Sequence, residues 1–117
     1  MRILLAVGDI DLRLSLELLL SEQPGVIIAG SVIDASGLLV LAKNGCPDLV
    51  LVDWELPGGP IEAVLGEVKL LECQPNIIVL GRLSSSEEAA LRAGADIYLI
   101  KGDPPEHLQV AICALNA

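Results

Sequence analysis

The chain is poor in the residue types that carry metal, redox or acid–base chemistry. Its 117 residues include one histidine and three cysteines. Cys46, Cys73 and Cys113 lie far apart without C-x-x-C spacing. That excludes a disulfide scaffold and a zinc site, and the three read as small core or surface residues. Basic residues are also scarce: 7 Lys and Arg stand against 16 Asp and Glu, a formal net charge of −9. A chain so charged repels phosphate backbones and anionic lipid, so no direct nucleic-acid or membrane binding is expected. No apolar run approaches a membrane span. The stretch Ile3 to Val7 is ended by Gly8-Asp9 and is too short for a signal peptide, which points to a cytoplasmic protein. G-x-S-x-G, G-x-G-x-x-G and Walker A patterns are all missing. His107 falls in the first turn of the last helix and reads as solvated. No enzymatic turnover is expected.

What the chain does have is apolar residues, 53% of the total, nearly all Leu, Ile, Val and Ala. This is enough for one core, and the length is that of one domain. Short apolar runs alternate with helical spacing. Arg2 to Val7 reads as a strand buried on both faces. Asp11 to Gln23 follows as a helix with Leu12, Leu16, Leu19 and Leu20 on one face, ended by Pro24-Gly25. Val26 to Val32 is a second strand. Ala35 to Lys43 is a helix stopped by Asn44-Gly45. Asp48 to Val52 is a third strand with Asp53 at its end, and Trp54 to Pro60 is a loop. Ile61 to Cys73 is a helix, and Asn76 to Leu80 is the fourth strand. Ser84 to Glu87 has the spacing of a capping box opening a short helix that Gly94 closes. Asp96 to Ile100 is the fifth strand. Asp103 then caps a last helix. Five β-α units predict an α/β fold in three layers, a doubly wound parallel five-stranded sheet with helices on both faces.

Open parallel sheets carry their sites beyond the carboxyl ends of the strands. Asp53 and Lys101 end the third and fifth strands and would face one crevice. A carboxylate beside an ammonium can accept a phosphoryl group, the cation holding the added charge.

The segments P-D-L-V-L-V-D-W-E-L-P-G (Pro47 to Gly58), A-G-A-D-I-Y-L-I-K (Ala93 to Lys101) and R-I-L-L-A (Arg2 to Ala6) resemble the response regulator receiver domain of two-component signalling. The likeness covers essentially the whole chain and is nearest the NarL-like subfamily. It implies the flavodoxin-like (βα)5 fold. It also implies a chain at the amino-terminal end of a longer regulator, with a helix-turn-helix DNA-binding output domain downstream. By position, Asp53 matches the phospho-acceptor, Lys101 the phosphoryl-contacting lysine and Tyr98 the switch aromatic. Glu55 falls where a backbone carbonyl completes the Mg²⁺ shell.

Two positions depart from the pattern. The adjacent acidic pair that holds Mg²⁺ is Val7 and Gly8 here, with Asp9 one place late. The switch Thr or Ser is Gly81. A full site carries three carboxylates and one lysine; Asp53 and Lys101 alone sum to zero, leaving a hard cation too few oxygens. The expectation is therefore a degenerate pseudo-receiver without a cofactor, Asp53 and Lys101 held in direct contact. It would act through a protein partner or as a homodimer. Leu14 and Leu18 on the first helix, Val110 on the last and Trp54 after the acceptor are the candidate contacts. The alternative is a working receiver, with Asp53 phosphorylated by a histidine kinase and Asp53, Glu55 and Asp9 holding Mg²⁺.

Overall fold

The computed structural model describes residues 1–116. Five strands alternate with five α-helices. They are β1 (Arg2–Ala6), α1 (Ile10–Ser21), β2 (Ile27–Val32), α2 (Ala35–Gly45), β3 (Leu49–Asp53), α3 (Ile61–Lys69), β4 (Asn76–Gly81), α4 (Glu87–Ala93), β5 (Ile97–Ile100) and α5 (Pro105–Leu115). All pairings are parallel, in the order β2-β1-β3-β4-β5.

The unbroken apolar strands are explained by the layers. Side chains alternate across a strand, so each central strand feeds two cores. Leu4, Ala6, Val50, Val52, Ile77 and Val79 face α2, α3 and α4, where Leu38, Leu65 and Ala90 meet them. Ile3, Leu5, Leu49, Leu51, Ile78 and Leu80 face α1 and α5, against Leu16, Leu20, Leu108 and Ile112. β2 lies at the sheet edge and leaves Ile27 exposed.

Several helix ends differ from the sequence expectation. The first helix begins at Ile10, because Asp9 is its cap: the carboxylate accepts from the backbone N–H groups of Asp11 and Leu12. Its buried residues are Leu16 and Leu20, while Leu12 and Leu19 are half-buried. The second helix is stopped at Cys46, in the left-handed conformation with φ 43°. The third ends at Lys69, four residues before Cys73. Pro75 disfavours helix at the residue before it, and Gln74 turns to φ 43°. Ser84–Ser86 is a 3₁₀ turn, and no capping box forms. Ser86 precedes α4 with helical backbone and makes no side-chain cap bond. Asp103 does not cap α5 either; it pairs with His107 Nδ1 at 3.3 Å, while Pro104 takes the cap position.

The cysteine reading needs the largest correction. Cys46 and Cys73 are both exposed and joined in a disulfide, with Cα atoms 5.8 Å apart. Nothing in their spacing announces this, since they lie 27 positions apart in the sequence. Cys113 is a free, exposed thiol.

Candidate functional site

Strand register brings the candidate residues together. Asp53 on β3 stands opposite Leu80 on β4, and Gly81 stands opposite Ile100 on β5, directly before Lys101. The ends of β3, β4 and β5 thus form one rim.

Asp53 is 4% exposed and is the one buried charged residue among those described. Its Oδ1 accepts from Lys101 Nζ at 2.7 Å and from the Glu55 backbone N–H at 2.8 Å. The direct contact expected from the two strand ends is therefore present. Lys101 Nζ also reaches Glu55 Oε1 at 3.3 Å, and the same oxygen accepts from Arg82 Nε at 2.7 Å. Asp53, Lys101, Glu55 and Arg82 form a continuous row of two anions and two cations. The Arg82 guanidinium beside Glu55 holds its carboxyl below the ordinary value; Lys101 adds to this, and desolvation partly opposes it. Glu55 in turn raises Arg82. Arg82 lies in the strand-end stretch Gly81 to Leu83 where a site is expected, but no sequence motif assigns it a role.

Asp9 does not join this row. Its Oδ1 is committed to the first turn of α1, at 2.9 Å from Asp11 N and 3.1 Å from Leu12 N. Val7 is fully buried in the core. A Cβ on Gly8 would lie 3.1 Å from Pro57 Cδ and 3.3 Å from Ile33 O, so a longer side chain would start against the proline ring. Pro57 is itself pinned, its carbonyl accepting from Ala35 N at 2.8 Å. No three His, Cys, Asp or Glu side chains cluster to hold a metal among the described residues. The divalent cation implied by the resemblance thus meets one buried carboxylate that is already paired, and this donor set does not fit it.

Tyr98 is turned inward, 7% exposed, and its hydroxyl donates to Leu83 O at 2.5 Å. The ring occupies the space over Gly81. A Cβ at residue 81 would overlap the Tyr98 hydroxyl and lie 2.7 Å from Cζ. Only glycine admits the tyrosine in this position.

The four candidate contact residues do not share one surface. Leu14 and Leu18 are exposed on α1, in one row with Ile10, and Val110 is exposed on α5, all on one face of the molecule. Trp54 is half-buried and packs on the opposite core.

No family model matches the chain. Among curated proteins it is 33% identical over 92 residues to protein-glutamate methylesterase/protein-glutamine glutaminase 2 of Burkholderia thailandensis, covering 79% of this chain and 26% of that one. It is 30% identical over 103 residues to the nitrate/nitrite response regulator protein NarL of Escherichia coli K12, covering 86% and 48%. The chain thus spans half or less of the length of these relatives. A LuxR-family two-component response regulator from Aurantimonas sp. SI85-9A1 superposes with a TM-score of 0.88 at 27% identity, over 97% of this chain and 83% of that one. Identity of this order over most of the chain, joined to a near-complete match of the fold, gives the lineage: the chain belongs to the response regulator receiver family, on its NarL/LuxR-like side.

Proposed function

We propose that this receiver is a constitutive protein-interaction module of cytoplasmic signal transduction, with a crevice that neither binds Mg²⁺ nor turns over phosphate. The observation that carries the reading is the Gly81–Tyr98 fit. A receiver switches by repositioning its aromatic when a hydroxyl at the end of β4 moves; here there is no hydroxyl, and the ring fills the vacated space. The electrostatics agree. Asp53 already has its cation at 2.7 Å, and without a divalent ion phosphoryl transfer loses its main charge stabilisation. Retention of Asp53 and Lys101 then serves the scaffold, since a buried carboxylate without its partner would be costly. Output passes through protein contacts, a second copy or a DNA-binding output domain, with the α1 row as the leading surface.

Trp54 adjoins Asp53 and is the only tryptophan. Its fluorescence tests the reading during titration with Mg²⁺ and then beryllofluoride, a mimic of aspartyl phosphate. The expected trace is flat, with Lys101→Ala as a positive control for the probe. A saturable change abolished by Asp53→Ala would overturn the proposal in favour of a phospho-accepting receiver.

A further inference from the structure

The Cys46–Cys73 pair lies at the other end of the sheet from Asp53, before β3 and before β4. It joins the C-terminus of α2 to the loop after α3. Both residues are exposed, so small thiols and disulfides can reach them. Each is held by contacts that do not involve sulfur. On one side Arg2 Nη1 donates to Gly45 O at 2.6 Å, Arg2 N donates to Asp48 Oδ2 at 2.7 Å, and Cys46 N–H closes on Ala42 O at 3.2 Å. On the other, Lys69 Nζ bridges Pro75 O at 3.3 Å and Asp96 Oδ2 at 2.7 Å, and that carboxylate also accepts from Ile77 N. Opening the bridge leaves these anchors and both cores in place. The two thiols would then stay adjacent, at high effective concentration for closing again.

We propose that Cys46 and Cys73 form a reversible dithiol–disulfide site, oxidised by a low-molecular-weight disulfide of the glutathione class. One thiolate attacks the oxidant and releases one glutathione thiolate. The second protein thiol, deprotonated, attacks the mixed disulfide and releases the other. Two electrons pass from the protein sulfurs to glutathione, and the two protons end on the released thiols. An exposed disulfide is the labile kind, and in a reducing compartment disulfides are commonly transient. Cys113 sits on α5, across the sheet, and takes no part. The site is independent of the crevice, so it stands or falls separately from the beryllofluoride result.

The reduced protein is equilibrated in graded ratios of reduced to oxidised glutathione, quenched, alkylated and weighed intact. Alkylated thiols should fall from three to one in a two-electron transition, with native circular dichroism at both ends. Reduction should lower Tm by roughly 10 °C, the loss expected from opening a loop of this length in a chain of this size. Cys113→Ser should keep the transition. Cys46→Ser and, independently, Cys73→Ser should abolish it and melt like the reduced wild type. Three alkylated thiols at every ratio, or glutathione retained on both cysteines, would overturn the proposal. So would one alkylated thiol at every ratio or loss of native dichroism on reduction, since the bridge would then be permanent.

Discussion

Gly81 and Tyr98 act as one unit at the rim of the crevice. Any side chain at 81 must displace the phenol ring, whose hydroxyl is held by Leu83 O and whose face is packed in the core. Gly81→Ser should therefore expel Tyr98 to solvent, raise its quenching by acrylamide and cost about 2 kcal/mol, as overpacking does. Unchanged quenching would mean that the ring has room the structure does not show. Glu55 offers a second handle. Its carboxyl is held below its ordinary value of 4.5, first by Arg82, so the folded chain binds that proton less readily than the unfolded one. The stability it contributes is present above about pH 4.5 and is lost as pH falls through the lower folded value. Urea melts of wild type and Glu55→Gln should differ at pH 7 and converge towards pH 3. The Asp53–Lys101 contact was legible because both residues stand at carboxyl ends of one parallel sheet, on β3 and just past β5, which flank β4 along a single rim. Arg82 and the disulfide were not, because each depends on where a loop carries a side chain, and no short spacing encodes that.

The elements were legible in proportion to how periodic they are. β3 and β4 are buried on both faces and read directly as apolar runs. The helix starts were less so, since Asp9, Ser84 and Asp103 all belong to residue types that cap helices, and only backbone conformation decides which one does. Asp9 is extended, with ψ 119°, and reaches two N–H groups; Ser86 is helical and reaches none. Asp9 thus caps α1, its Oδ1 committed to two backbone N–H groups. Asp9→Ala should cost about 1 kcal/mol in urea denaturation, the usual loss for a cap, and leave the Mg²⁺ titration unchanged. A Mg²⁺ response in wild type that Asp9→Ala removes would restore the residue to the crevice.

Across the whole molecule, the apolar row on α1 opposes the charge of the chain. Ile10, Leu14 and Leu18 recur every four residues, and Leu18 is 66% exposed, so the row forms one stripe along the helix. Burying it against a second copy would gain free energy in proportion to the apolar area removed from water. Each copy, however, carries a formal charge of −9, and two such chains repel over a range set by the Debye length. That length falls from about 14 Å at 0.05 M salt to about 4 Å at 0.5 M. Self-association through this stripe must therefore strengthen with salt, the reverse of a contact built on ion pairs across the interface. Sedimentation velocity should show a heavier species at 0.5 M than at 0.05 M, and Leu18→Glu should return it to monomer at both. Association that weakens with salt, or survives Leu18→Glu, would place the interface elsewhere, with Val110 on α5 the next exposed apolar position to test.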